Sequence, residues 1–223
     1  MSIKAVNTTI IVPVYGDWPS LKDCIESLKQ YVDGRNKVIL VNDCSPDVEI
    51  IEKNIKRAIN GHKNFRYYRN KKNLGFVGSC NNAVLKLDKT NNDIMLLNSD
   101  TKITKDCLVE MSAVLHSKKR FGVVSPRSNN ATLATIPLSA APKRGIERQA
   151  SYGLFLKMKD LMPRYSITPT AHGFCMVIKR SLISKYGLFD EVFGKGYGEE
   201  VDFCQRIRQA GYDCLLANRA FVF

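Results

Sequence analysis

The sequence predicts an α/β protein with an open, mainly parallel twisted sheet flanked by helices. Three observations carry that reading. Short apolar runs rich in β-branched residues alternate with stretches of helical period. Four of these runs end in clusters of Asn, Asp and Ser. The 223-residue chain fits one domain, 1–223, with enough apolar content to cover a sheet on both faces.

Thr8 to Tyr15 reads as a buried strand broken by Gly16-Asp17. Ser20-Leu21-Lys22-Asp23 forms a capping box, so a helix is expected to start there, with Leu21, Cys24, Ile25 and Leu28 inward. Lys37 to Val41 is a second strand, finishing at Asn42-Asp43. Asp47 is expected to cap a second helix with the stripe Val48, Ile51, Ile55 and Ile59, closed by Asn60-Gly61. Phe65 to Tyr68 is a third strand, a helix carrying Cys80, Ala83, Val84 and Leu87 follows Gly75, and Ile94 to Leu97 is the fourth strand.

In the second half, Thr104 is expected to cap a helix running to about His116, with Leu108, Met111 and Leu115 inward. Val123-Val124 resumes a short strand. Residues 126–170 show no clear period and hold Pro126, Pro137, Pro142, Pro163 and Pro169 with the basic residues Arg127, Lys143, Arg144 and Arg148. That stretch reads as a partly mobile flap with short helical pieces, or as a plain surface insertion. Phe174 to Ile178 is strand-like, Arg180 opens a short helix ending at Tyr186-Gly187, and Val201 to Ala210 is a helix stopped by Gly211.

Composition narrows the function classes. The formal charge of +13 favours phosphate-bearing or anionic partners. A nucleic-acid-binding face would interleave aromatic and basic residues; here the basic residues are scattered, and no nucleic-acid partner is expected. The seven cysteines include no Cys-x-x-Cys pair, so neither a zinc site nor a disulfide framework is expected, and a reducing, cytoplasmic compartment follows. No signal peptide or membrane span of about 18 apolar residues is present. The chain stops in the apolar run Ala220-Phe221-Val222-Phe223, and the full protein is expected to continue. His62 and His116 are expected to face solvent, and His172 lies nearer the predicted site.

The strand ends carry the chemistry. Tyr15 and Asp17 follow the first, Asn42, Asp43 and Ser45 the second, Asn70 and Asn73 the third, Asn98 and Asp100 the fourth. Right-handed crossovers bring these ends to one edge of the sheet, where open α/β folds bind ligands. Taken alone, Asn98-Ser99-Asp100 also fits a turn capped by Asp100; four such clusters in succession favour one ligand crevice. No Gly-x-Gly-x-x-Gly or phosphate-loop motif occurs, and Gly194-Lys195-Gly196-Tyr197-Gly198 matches neither spacing. An acid after the second strand can accept hydrogen bonds from a base or ribose. An aspartate after the fourth can hold a divalent cation on a diphosphate. Glu199, Glu200 and Asp202 open the last helix. They either complement its dipole, worth about 0.3–1 kcal/mol each, or supply a general base.

Thr9-Ile10-Ile11-Val12-Pro13-Val14-Tyr15, Val41-Asn42-Asp43-Cys44-Ser45-Pro46-Asp47, Asn73-Leu74-Gly75-Phe76 with Asn81, and Leu96-Leu97-Asn98-Ser99-Asp100 together resemble the family 2 glycosyltransferases. So do His172-Gly173-Phe174-Cys175-Met176, Gly187-Leu188-Phe189-Asp190-Glu191 and Gly198-Glu199-Glu200-Val201-Asp202-Phe203. The ordered set covers nearly the whole chain. The resemblance implies a GT-A fold, with residues 1–103 as the nucleotide-sugar half and 104–223 as the acceptor half. It further implies inverting transfer from a nucleotide-diphosphate sugar, UDP by default, to a glycan or lipid-linked acceptor in cell-surface polysaccharide synthesis. Pro13, Tyr15 and Asp43 would contact base and ribose. Asn73, Gly75 and Asn81 would shape the donor pocket, with Asn98 and Ser99 beside it. Asp100 would be the protein ligand of Mg²⁺ or Mn²⁺, because Asn98 stands where the family's commonest motif has its first acid. His172, Gly173 and Asp190 fall in the acceptor-side motifs, and Glu200 would be the base with Glu199 orienting. The family often adds a metal-binding His just after the strand that ends this chain. The positive charge is compatible with work at the anionic inner face of a membrane. A sugar-phosphate nucleotidyltransferase, the competing enzyme class, would want a basic loop after the first strand, and Pro13-Val14-Tyr15-Gly16-Asp17 has no basic residue. The remaining alternative is a non-catalytic nucleotide- or nucleic-acid-binding module.

Overall fold

A computed structural model describes residues 7–131, 134–136 and 148–223. The strands are β1 (Thr8–Val14), β2 (Lys37–Asn42), β3 (Phe65–Arg69), β4 (Asp93–Leu97), β5 (Phe121–Ser128), β6 (Tyr165–Thr168), β7 (Cys175–Ile178) and β8 (Asp213–Val222). The helices are α1 (Trp18–Tyr31), α2 (Val48–Ala58), α3 (Gly75–Asn82, continued by a π turn over Ala83–Leu87), α4 (Cys107–Leu115), α5 (Arg148–Met158), α6 (Arg180–Tyr186) and α7 (Glu199–Gln209). Among the described residues the strands form one sheet in the order β3-β2-β1-β4-β7-β5-β8-β6. β1 pairs in parallel with β2 and β4, β2 with β3, and β5 with β8. β7 runs antiparallel to β4 and β5, and β6 antiparallel to β8. The carboxyl ends of β1 to β5 and β8 therefore share one edge.

Strict alternation along apolar strands covers both faces. Ile10, Val12, Val14, Met95, Leu97, Cys175 and Val177 pack with Leu21, Ile25, Ile55 and Met111 of α1, α2 and α4. Ile11, Ile94, Leu96, Met176 and Ile178 pack on the other face with Val77, Leu182, Phe203 and Ile207 of α3, α6 and α7. All seven cysteines are free thiols and six are buried, where they act as small apolar side chains. No helix among the described residues is long and apolar enough to cross a membrane.

Several elements differ locally from the sequence expectation. α1 starts at Trp18, ahead of the Ser20 capping box, with Asp17 accepting from the Ser20 N–H. Pro19 in the first turn has no N–H to leave unbonded, so the helix tolerates it there. Asp47 occupies the cap position of α2 in a left-handed conformation (φ 53°), and its carboxylate makes no cap bond; its carbonyl accepts from the Ile50 and Ile51 N–H groups instead. Thr104 does not cap α4 either. Its hydroxyl donates to the Phe221 carbonyl at 2.7 Å, tying the helix entry to β8, while Asp106 takes the cap position.

The described part of 126–170 holds regular structure at both ends. Pro126 and Arg127 lie within β5, and the later part forms α5 and β6 at the sheet edge. Tyr152 and Phe155 of α5 pack on Phe221 and Phe223. Arg127 is only 9% exposed, with its guanidinium on Asn218 Oδ1 at 3.0 and 2.7 Å. Pro137, Pro142, Lys143, Arg144 and the Arg148 side chain lie outside the described residues.

His116 is not a solvent-facing residue. Its Nε2 lies 2.6 Å from the buried Asp93 carboxylate, whose other oxygen accepts the Arg180 N–H at 2.9 Å. His62 packs edge-on against Phe65. The Arg180 side chain reaches Asp88, the Asn92 carbonyl and the Val84 carbonyl, closing the amino end of β4. Asp88 has a side chain only 1% exposed, so removing its partner leaves a buried, uncompensated charge. Arg180→Ala is expected to cost about 3–5 kcal/mol, read as a lower urea midpoint with an unchanged slope; a loss under about 1 kcal/mol would contradict the pairing.

Candidate active site

The carboxyl edge holds a cavity of about 500 Å³ lined by Pro13, Val14, Tyr15, Asp17, Asp43, Asn73, Gly75, Phe76, Ser79, Asn98, Ser99, Asp100 and Lys195. Strand ends β1, β2 and β4 and the entry to α3 thus meet in one place. Each wall is fixed by local bonding. The Asn42 Oδ1 accepts the Ser45 N–H at 2.9 Å, and Ser45 Oγ accepts the Gly16 N–H at 2.8 Å, tying the first two strand ends together. Asp43 Oδ1 accepts from Asn70 Nδ2 and from the Leu74 N–H, both at 2.8 Å. That leaves Oδ2 as the oxygen available to a ligand. Asn73 Oδ1 accepts the Gly75 N–H at 3.0 Å, shaping the turn into α3.

The Asn98-Ser99-Asp100 turn is held from both sides. The Asn98 N–H donates to the Phe174 carbonyl at 2.9 Å, and its carbonyl accepts from the Thr101 hydroxyl at 2.7 Å. Two residues beyond Asp100, Lys102 exchanges backbone hydrogen bonds with Phe223, 2.9 Å each way. Asp100 is left exposed at the cavity mouth. Among the described residues no group of three or more His, Cys, Asp or Glu side chains could hold a metal ion. One carboxylate still fits a hard cation whose remaining ligands are phosphate oxygens and water.

Glu199 and Glu200 begin α7, with Gly198 (φ 106°) at the cap. Glu199 is buried, and burial raises its carboxyl above the ordinary value; N–H bonds from Glu199 and Tyr197 oppose the rise, and the Glu200 charge adds to it. Glu200 is half-buried beside Gly173, where a Cβ would lie 3.5 Å from its Cδ. His172 is the next residue along. Burial lowers its imidazole below the ordinary value, Glu200 pulls it upward, and Arg127 adds to the lowering. Glu199 Oε2, Glu200 Oε2 and His172 Nε2 are all buried without a hydrogen-bond partner. Unbonded buried polar atoms at one place mark a site built for something other than its own side chains.

Two residues named from the sequence, Asn81 and Asp190, are not among the lining of this cavity. Asn81 Nδ2 donates to the Phe189 carbonyl at 2.9 Å and its Oδ1 accepts the Phe189 N–H at 3.2 Å. Asp190 accepts the Val192 N–H at 2.9 Å and caps a single 3₁₀ turn over Glu191–Phe193. Four lining residues carry no role in the sequence reading, Val14 and Ser79 among them. The other two are Phe76 and Lys195, the latter in a glycine-rich loop whose spacing matches no nucleotide-loop motif. That loop sits on α3. Gly75 has φ 71°, and a Cβ there would lie 2.9 Å from the Gly194 carbonyl oxygen, so both backbone angle and close approach require glycine. A Cβ on Gly196 would lie 3.8 Å from both Glu199 Oε2 and Phe76. The loop therefore joins the cavity wall to the two glutamates.

A profile of the family described as Glycosyl transferase family 2 matches residues 9–187. The low-salt glycan biosynthesis hexosyltransferase Agl10 of Haloferax volcanii is 29% identical over 150 residues, 66% of this chain and 48% of that protein. The chain spans about half the length of this curated relative. Among solved structures, GalNAc-T7 with UDP, GalNAc and Mn²⁺ superposes with a TM-score of 0.76 at 15% identity, over 98% of this chain and 44% of that one. The mannosyltransferase PcManGT of Pyrobaculum calidifontis, in complex with GDP-Man and Mn²⁺, gives 0.67 at 17% identity, over 94% and 54%. S. aureus TarS 1-349 gives 0.63 at 16% identity, over 96% and 60%. At such identities the structural likeness speaks for the fold.

The raised Glu199 carboxyl has a sign that can be checked. Its proton is held more tightly in the folded chain, so folding loses stability as pH rises from the ordinary value of 4.5 through the raised one. Glu199→Gln is expected to be more stable than the parent at neutral pH, with the gain vanishing below pH 4.5. Urea unfolding across that window measures it, and a pH-independent difference would contradict the burial argument.

Proposed function

The chain belongs to glycosyl transferase family 2 and has the GT-A fold, and from that premise we propose that it moves a sugar from a nucleotide-diphosphate donor, UDP by default, to a hydroxyl of a glycan or lipid-linked acceptor. The observation that carries the reading is the cavity where three strand ends and the entry to α3 bring Pro13, Tyr15, Asp43, Asn73, Gly75 and Asp100 together, with Glu199 and Glu200 reached through the Gly194–Gly198 loop. Tyr15 is 59% exposed and offers a ring face to a base. The remaining oxygen of Asp43 offers an acceptor for base or ribose donors.

In the proposed reaction Glu200 takes the proton from the acceptor hydroxyl as its oxygen attacks the anomeric carbon. The bond to the diphosphate breaks on the opposite face, the electron pair leaves with the diphosphate, and configuration inverts. Glu200 is chosen over Glu199 because it lies against Gly173, where an acceptor can approach, whereas Glu199 is more deeply buried and bonded to backbone N–H groups. Asp100 would hold a divalent cation against the diphosphate, and that cation would supply Lewis-acid neutralisation of charge on the leaving group. Mannosyltransferase and GalNAc-T7 structures with Mn²⁺ support such a cation here. A role in cell-surface polysaccharide synthesis at an anionic cytoplasmic membrane face is supported by the +13 charge and by the glycan-biosynthesis relative.

Glu200→Gln is expected to lower turnover by about 10²–10⁴-fold while nucleotide binding stays near the parent value, measured by sugar transfer from a panel of UDP- and GDP-sugars. Retained turnover would remove Glu200 as the base. With a single carboxylate in the cation site, Mn²⁺ is expected to bind appreciably only when a nucleoside diphosphate is present, and Asp100→Ala to abolish that joint binding. Calorimetric titration of Mn²⁺ with and without UDP reads both.

A further inference from the structure

We propose that Lys195 recognises the donor's diphosphate and makes this cavity selective for nucleoside diphosphates over monophosphates. The inference rests on the nucleotide-sugar reading above and adds to it a group that reading does not use. The cavity lining carries the acids Asp17, Asp43 and Asp100, and Lys195 is the single cation among the described lining residues. A diphosphate entering such a lining meets repulsion from three carboxylates. One divalent cation at Asp100 offsets part of it, and the charge that develops as the sugar departs adds to what must be offset. An ammonium on a long stem, with three donors free to turn, suits that task.

Lys195 is free for it. It is exposed and takes part in none of the ion pairs formed among the described residues. Its loop is held in an unusual backbone path, with positive φ at Gly194, Gly196, Tyr197 and Gly198. That path seats Gly194 against Gly75 and Gly196 between Phe76 and Glu199. The bond from Lys195 to a diphosphate therefore also steadies the loop from which Glu199 and Glu200 begin, so donor binding favours the acceptor-ready arrangement. A monophosphate, ending one phosphate short, forgoes this contact.

The test is calorimetric binding of UDP, UMP, GDP and GMP, each with Mn²⁺ and again with EDTA, to the parent chain, Lys195→Met and Lys195→Arg. The parent is expected to prefer the diphosphate of its base by about tenfold or more, as one charge-assisted hydrogen bond supplies. Lys195→Met is expected to lose about tenfold for the diphosphate and stay within about twofold for the monophosphate, with Lys195→Arg retaining most of the preference. A Lys195→Met variant that keeps the parent's ratio overturns the assignment and leaves the nucleotide-sugar reading standing. A parent chain that binds none of the four nucleotides overturns that reading, and this inference with it.

Discussion

Asn81 bridges the two halves of the chain. From α3 its amide donates to the Phe189 carbonyl and accepts the Phe189 N–H, closing a contact between residues 108 positions apart. Both backbone groups are buried, so each would be left without water if the amide were absent. Such a loss costs about 1–3 kcal/mol per group. Downstream of Phe189 come the 3₁₀ turn, the loop bearing Lys195 and the first residues of α7. All of them follow directly on the point where this side chain ties the later chain to α3. Phe76 and Phe189, 6.4 Å apart between ring centroids, extend the same contact with apolar surface.

The cavity illustrates a division of labour among polar residues. Asn42, Ser45, Asn70 and Asn73 spend their hydrogen bonds on the protein and hold Asp43 and the turns in place. Asn70 is the hub: Nδ2 serves Asp43 and Ser79, and Oδ1 accepts from Asn82. With these bonds made, Asp43 and Asp100 line the cavity, Asp43 with one carboxylate oxygen to spare. Rigid support behind sparsely bonded carboxylates is what a binding site for a polar ligand requires, since ordering is complete before the ligand arrives.

Much of this was legible in the sequence. The alternating apolar runs located β1 to β4 within a residue or so, and their Asn and Asp endings identified the cavity edge. Pro13, Tyr15, Asp43, Asn73, Gly75 and the Asn98–Asp100 turn line the same space. What escaped depends on contacts the linear order does not encode. Asp17, Asp47 and Asp106 stand at helix starts with left-handed backbones, a conformation that local capping patterns do not reveal. Asp88, Asp93, His116 and Arg180 form one network across distant segments, so His116 looked exposed when read alone. The lack of a clear period hid α5 and β6: α5 packs its aromatic rings on β8, and β6 pairs with β8 as an edge strand. Asn81 follows cavity-lining residues in sequence, and only the fold shows its amide bonded to Phe189.

The pairing of Phe223 with Lys102 bears on the order of assembly. The turn bearing Asp100 is braced by Phe174 and by Phe223, segments made long after it leaves the ribosome. β1 to β4 can collapse early through parallel pairs of moderate separation, yet the Asp100 turn stays without its braces until β7 and β8 have docked. Contacts of such long range form slowly. During synthesis the β1–β4 half can therefore pair before the Asp100 turn is complete, and that turn gains its full set of backbone bonds only once β7 and β8 have docked.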